Sequence, residues 1–370
     1  MHSDPLNIFI HILIKINTST GITMDFTPGK PIRTYAQDGS WRDWSTDELV
    51  GEKLNYIPNW KCGAGVDSLY IDMDGGVWTA SCRVGGKLGS VWDDFSVPED
   101  WIDCKRNVCS CGADLFIPKT QTIEFKSLLR KGQGLEPQTE LRDDMQTEFV
   151  AMERTHASTQ KQVYWEIGRR CNYDCSYCWP WIHNNTDPHK PLEDLMRATS
   201  LIEKRFIKGD AVNFIISGGE PTVNKDFLDW LRYLNAMGHH VSLHSNGSRL
   251  PAYYREIIHY GDLNISVHFE FYDRKKLVKV IEAVADEKAN NGGSGHLEVK
   301  FMMTPKDREE TLSLEEELKA LPNFTDYCTW AIVPIRGGLD NKISTPNSGS
   351  GSEVMEGYTK EDYILFGDRK

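Results

Sequence analysis

Residues 168–179 read Gly-Arg-Arg-Cys-Asn-Tyr-Asp-Cys-Ser-Tyr-Cys-Trp, which puts Cys171, Cys175 and Cys178 in a C-x3-C-x2-C run. The next expected strand ends in Gly218-Gly219-Glu220-Pro221. Three thiolates can hold three irons of a four-iron cube, whereas a ferredoxin supplies a fourth Cys of its own. The missing ligand leaves one iron open to an external molecule, which points to chemistry rather than electron storage. Taken alone, the run also suits a structural zinc site completed by His183 or His189.

Outward from this stretch, short apolar strands alternate with helical patterns. Strands are expected at Val163–Ile167, Val212–Ile216, Val241–His244, Ile265–His268, Leu297–Met302 and Trp330–Ile335. Between them, Leu192, Leu195, Ile202 and Phe206 share one helical face, as do Phe227, Leu231 and Leu234. The pattern repeats at Leu277, Ile281 and Val284 and at Leu314, Leu318 and Leu321, with a shorter helix from Pro251. Repeated βα units predict an α/β fold, a parallel sheet curved into a partial (β/α)6 TIM-like barrel. Sites in such sheets lie at the carboxyl ends of the strands, where both motifs fall. The expected organisation is a strand-rich segment (1–55), a small N-terminal Cys-rich module (56–118), a linker (119–158), the core (159–338) and a flexible tail (339–370) whose Tyr358–Phe366 docks back as a short helix.

Of the 370 residues, 39% are hydrophobic and 26% charged, the balance of a soluble globular protein. A net charge of -12 excludes broad electrostatic binding to nucleic acid, though not a nucleotide-sized substrate in a local pocket. The apolar run Leu6–Ile16 is too short to span a membrane and lacks a basic flank, so it reads as a buried strand. No membrane association and a cytoplasmic location are expected. Nine cysteines, odd in number and clustered, suit metal binding under reducing conditions better than disulfides.

Residues 168–179, followed by Ile216-Ser-Gly-Gly-Glu-Pro221, Ser245-Asn246-Gly247 and the βα series, resemble the radical S-adenosylmethionine (radical SAM) superfamily. The resemblance covers roughly half of the chain. It implies that Cys171, Cys175 and Cys178 ligate a [4Fe–4S] cluster whose open iron takes SAM. It further implies that Gly218, Gly219 and Glu220, with Pro221, meet the SAM amino group, and that Tyr177 lies near the adenine. Ser245, Asn246 and Ser266 match positions that hold the ribose and carboxylate. The implied chemistry is reductive cleavage of SAM to a 5′-deoxyadenosyl radical that abstracts hydrogen from a substrate. It requires an electron donor such as flavodoxin or ferredoxin.

Ahead of the core lie Cys62, Cys82, Cys104, Cys109 and Cys111. Cys62-Gly-Ala-Gly, Tyr70-Ile-Asp-Met-Asp-Gly-Gly-Val77, Cys82 and Leu88-Gly89-Ser90-Val91 resemble the auxiliary-cluster modules called SPASM or twitch domains, here preceding the core. The resemblance implies a second [4Fe–4S] cluster on Cys62, Cys82, Cys109 and Cys111, with Cys104 spare; a zinc ribbon is the alternative. The hairpin turn at Asp74-Gly75-Gly76 suits positive φ. This architecture implies peptide or protein modification. The alternatives are radical modification of a small metabolite or nucleotide and, outside enzymes, a metal-cluster binding protein without SAM chemistry. Glu166 is expected to face the barrel interior, His239, His240 and His244 to pack or face solvent, and Trp179 and Trp181 to shield the cluster.

Overall fold

Alternation of apolar and polar residues along much of the core strands gives them two unlike faces, and that difference decides where the helices settle. The computed structural model describes residues 32–109, 112–129, 148–154, 161–178, 182–335 and 355–368. The Leu6–Ile16 run, Cys111, Trp179, Trp181, residues 130–147 of the expected linker and Gly337–Ser352 lie outside the described residues.

The described strands are β1 (Ile32–Ala36), β2 (Trp41–Trp44), β3 (Lys61–Cys62), β4 (Ser68–Ile71), β5 (Gly76–Trp78), β6 (Lys87–Ser90), β7 (Ile102–Asp103), β8 (Lys119–Thr120), β9 (Phe149–Arg154), β10 (Lys161–Glu166), β11 (Val212–Ser217), β12 (His240–Ser245), β13 (Gly261–Val267), β14 (Leu297–Met303), β15 (Cys328–Pro334) and β16 (Gly367–Asp368). They form two sheets. One runs β2-β1-β9-β8-β3-β7; the other runs β16-β15-β14-β13-β12-β11-β10-β4-β5-β6 and does not close on itself. Strands β10 to β15 pair in parallel and in chain order, as expected of βα repeats.

Between these strands run Leu192–Ile202, Phe227–Ala236, Pro251–Ile257, Arg274–Asn291 and Arg308–Lys319, the five principal helices of the core. Their buried residues join Val163, Trp165, Phe214, Ile216, Leu243, Ile265, Val299 and Phe301 in one apolar cluster. Alternation then turns Gln162, Tyr164, Glu166, Asn213, Ser242, His244, Asp262, Asn264, Ser266, Glu298 and Lys300 to the opposite, polar face. Among the described residues no helix is long and apolar enough to cross a membrane.

Three features differ from the sequence expectation. The N-terminal module is not a separate appendage: β4 pairs in parallel with β10, so β4, β5 and β6 extend the core sheet. Lys119–Thr120 and Phe149–Arg154, expected in a linker, instead pair in the other sheet, because Val150, Ala151 and Met152 give β9 an apolar side to bury. Strand β13 begins at Gly261, four residues before the expected start. A Cβ at Gly261 would stand 1.9 Å from the Val241 carbonyl oxygen, so a glycine ahead of the expected strand is the one that lets two strands close. Tyr358–Phe366 docks as expected: Lys360–Leu365 is helical behind a Thr359–Asp362 capping box, and Tyr358 packs beside Phe366.

Trp165 and Trp230 lock strand to helix, their rings edge-to-face at 5.1 Å, with the Trp230 indole donating to Thr199 Oγ1 at 3.0 Å. Trp230 is fully buried. Trp230→Ala is expected to cost ~3–5 kcal/mol, measured as a lowered midpoint in urea denaturation.

Candidate active site

The site grows from the carboxyl ends of β10, β11 and β12. After β10, residues 167–170 run along the end of β11 in a short backbone seam. Ile167 N–H donates to Ser217 O at 3.0 Å, Gly219 N–H to Gly168 O at 2.9 Å, and Glu220 N–H to Arg170 O at 2.9 Å. Cys171 follows directly. A Cβ at Gly218 would meet Gly168 O at 2.5 Å, and one at Gly219 would meet Arg169 O and Arg170 O at 2.4 Å. Gly218 also has φ +132. The glycines are thus required by the close approach of the chain's own backbone to the cysteine loop.

Glu220 is 2% exposed and accepts four hydrogen bonds: from Thr222 N–H (3.0 Å), Thr222 Oγ1 (2.6 Å), Ser245 Oγ (2.9 Å) and Asn246 N–H (2.6 Å). Burial pushes its carboxyl up, while the donors pull back. The side chain expected to meet an external amino group is therefore engaged in bracing the Ser245–Asn246 turn. Pro221 is buried and opens a single 3-10 turn, Pro221–Val223. Asn246 closes the circle, donating from Nδ2 to Asn172 Oδ1 at 3.0 Å and standing 4.0 Å from Cys171 Sγ. Ser266 lies on the polar face, in register with Lys300.

The far half of the loop is tied to the end of β13. Ser176 donates from its N–H (2.7 Å) and Oγ (2.6 Å) to the Glu270 carboxylate. Tyr177 stacks on His268 at 5.9 Å, with Tyr177 Oη 2.9 Å from His268 Nδ1. Burial lowers His268 to about 4, so it is neutral at pH 7. Neither His268 nor Glu270 was singled out from sequence; their signal is the placement of His268-Phe-Glu270 just past a strand end. Cys175 and Tyr177 pack with Ile335 and Met355, with Tyr173, Cys178, Met302 and Tyr358 around them. A cavity of about 180 Å³ opens beside the loop, lined in part by Asn172, Tyr173, Asn246 and Lys276.

Cys171 and Cys178 both lie within electrostatic reach of Cys175, and burial, reinforced by Cys178 and Cys171, pushes Cys175 up to about 12. Among the described residues no three His, Cys, Asp or Glu side chains are closed to the spacing that encloses a metal ion. The donor set nevertheless fits an iron–sulfur group. Three soft sulfur donors share one braced loop, apolar side chains cover one flank, and a cavity opens on another.

A second group of thiols forms in the N-terminal module. Cys62, Cys104 and Cys109 share one apolar cluster, with Cys82 packed against it. The thiol set aside in the sequence reading, Cys104, is thus among those brought together, whereas Cys111 lies outside the described residues. Asp114 accepts from the N–H groups of Ser81 (3.1 Å) and Cys82 (2.7 Å), fixing the Cys82 turn. Lys119, 1% exposed, donates to the carbonyls of Asp114 and Ile117. Burial pulls its ammonium down, but Cys109, Cys62 and Asp114 outweigh that and leave it raised. Arg169 joins the two centres: its guanidinium grips the Asp74 carboxylate at 2.6 and 2.7 Å, tying the N-terminal hairpin to the cysteine loop.

Residues 165–294 match the family model of the Radical SAM superfamily. The chain therefore carries a radical SAM domain, and the members of that superfamily are enzymes. Among curated proteins it resembles an S-adenosylmethionine-dependent nucleotide dehydratase of Selenomonas ruminantium, 31% identical over 91 residues, covering 24% of this chain and 30% of that protein. It also resembles a GTP 3',8-cyclase of Haemophilus ducreyi, 32% identical over 109 residues (26% and 29%), and an AdoMet-dependent heme synthase of Oleidesulfovibrio alaskensis, 29% identical over 86 residues (23% and 21%). The chain spans about a third of the length of the first of these relatives. Among solved structures, Streptococcus suis SuiB bound to the precursor peptide SuiA aligns at 16% identity and TM-score 0.34, over 43% of this chain and 37% of that one.

Gly219→Ala is expected to push the Arg169–Arg170 backbone away and lower the iron bound after anaerobic reconstitution, while far-UV circular dichroism stays that of the wild type. A pH dependence follows from His244, which burial, reinforced by Lys300, lowers to about 4. The unfolded chain binds this proton below about 6.5 and the folded one does not, so the stabilisation is full above that value and is lost as pH falls toward 4. The urea midpoint should fall between about pH 7 and pH 5, less steeply in His244→Gln.

Proposed function

We propose that the chain is a radical SAM enzyme that modifies a phosphate-bearing small molecule, the core forming a partial (β/α)6 barrel around its polar face. The observation that carries this reading is the seam at Gly218–Glu220, which presents Cys171 directly beside Asn246. Cys171, Cys175 and Cys178 would hold a [4Fe–4S] cluster. With SAM bound, that group supplies one-electron cleavage of the sulfonium to a 5′-deoxyadenosyl radical able to remove hydrogen from a substrate.

The protein's own part is position and dryness. Ser176–Glu270 and Asn172–Asn246 fix the loop from two sides, so that closing on the group falls to the cysteine side chains. Tyr173, Ile335, Met355 and Tyr358 exclude water from one flank. Neutral His268 orients Tyr177 without adding charge beside the thiols. A one-electron donor such as flavodoxin or ferredoxin is required. Cys175→Ala is expected to abolish 5′-deoxyadenosine formation from SAM under dithionite, read by chromatography; normal formation in that variant overturns the assignment.

The N-terminal thiols Cys62, Cys82, Cys104 and Cys109 would hold a second [4Fe–4S] cluster in a twitch-like module joined to the core sheet through β4. Metal analysis of the anaerobic Cys171/Cys175/Cys178→Ala variant tests this. About four irons and four sulfides per chain are expected; one zinc and no iron would make the module a structural ribbon. The small-molecule reading is favoured over a peptide by a cationic cavity beside Cys82. The printed activities of the nucleotide dehydratase and GTP cyclase relatives agree with it.

A further inference from the structure

A cavity of about 410 Å³ opens in the N-terminal module, lined by Cys82, Arg83, Val84, Gly85, Lys105 and Arg106. Three of its six lining residues are cationic, in a chain with a net charge of -12. Among the described residues none of the three makes an ion pair. The acid closest in sequence, Asp103, is held by Lys61 at 2.5 Å. Three like charges around one hollow repel one another, and the arrangement is completed by an anion.

Two of the three cations are also held in place, while Lys105 is exposed. The Arg83 guanidinium lies over the Trp78 ring at 4.4 Å, and its backbone sits at φ 57, in the left-handed region. Arg106 spends one N–H on the Cys82 carbonyl at 3.0 Å and keeps the remaining donors of its fork. Cys82 is fixed from its other side by Asp114. Gly85 permits this packing: at φ +81, a Cβ there would meet Ile102 at 2.8 Å.

Arg83 leads from the hollow toward the core sheet. It lies over Trp78, which stands in register with Tyr70, and the Tyr70 and Glu166 side chains are joined by a hydrogen bond of 2.7 Å across β4 and β10. Glu166 ends β10, five residues before Cys171. A molecule moored at Arg83 can therefore extend past Tyr70–Glu166 toward the cysteine loop.

We propose that Arg83, Lys105 and Arg106 form the binding site for the phosphoryl group of the substrate, a phosphorylated small molecule whose other end lies over the polar face near Glu166. This rests on the radical reading above for the word substrate, though not for the site itself. Two guanidinium forks and an ammonium match the many acceptor oxygens of a phosphoryl group better than the two of a carboxylate. The volume suits a phosphate with part of the molecule attached to it.

The test is calorimetric titration of the anaerobically reconstituted full chain with inorganic pyrophosphate, and separately with citrate as a carboxylate probe. Pyrophosphate is expected to bind with a Kd below about 1 mM, and to weaken as salt is raised. Arg83→Gln/Lys105→Gln should weaken it at least about tenfold, whereas Arg83→Lys, which keeps the charge and loses the fork, should weaken it less. Lys275→Gln, on the exposed side of a distant helix, should match the wild type. No binding at about 5 mM, an unchanged Kd in the double variant, or citrate bound as tightly as pyrophosphate overturns the proposal. SAM cleavage by the same preparation is scored separately. Pyrophosphate binding without cleavage removes the radical reading and leaves the anion site; cleavage without pyrophosphate binding does the reverse.

Discussion

Two missing Cβ atoms are the constraint on which the candidate site depends. Gly218 and Gly219 bring the end of β11 against residues 168–170, closer than any side chain allows. Backbone hydrogen bonds then fix the exit of the chain toward Cys171. Glu220 carries the constraint one strand further by binding the Ser245–Asn246 turn, and Asn246 returns it to the cysteine loop. Three consecutive strand ends become one rigid rim. Under the proposed function, such preorganisation limits how far the loop must move to receive a group.

The rim does not stand alone. The loop is braced at its start by Arg169–Asp74, from the N-terminal hairpin, and in its second half by Ser176–Glu270, from the end of β13. Asp74 is exposed, so the Arg169 pair adds little stability, roughly 0–1 kcal/mol. Its effect is positional. Because β4 pairs with β10, the N-terminal thiols and the cationic hollow beside Cys82 are held at a set place relative to Glu166. The apolar side of the sheet is buried against helices.

Much of this was legible in the chain. Alternation and helical spacing located the six parallel strands β10 to β15, though not the start of β13. The Cys171–Cys178 spacing and Gly218–Glu220 located the rim. The roles of the motif residues were less legible. The family resemblance implies that Glu220 meets an external amino group; only the fold shows its four internal donors. Gly261 falls outside the expected strand because the carbonyl it approaches comes from β12, on a separate stretch of the chain. The β4–β10 pairing was hidden for a similar reason: nothing local in Ser68–Ile71 names its partner. Lys119 carries no sequence signal at all, because its neighbours Cys62 and Cys109 are distant along the chain.

The most direct test of the central claim, an open iron held on the braced loop, is low-temperature electron paramagnetic resonance of the dithionite-reduced, full-length protein with and without SAM. The account predicts a reduced-cluster signal whose g-values shift when SAM is added, and loss of that shift, with any N-terminal cluster signal retained, in Cys171→Ala. A reduced-cluster signal from the loop cysteines that SAM leaves unchanged would contradict it.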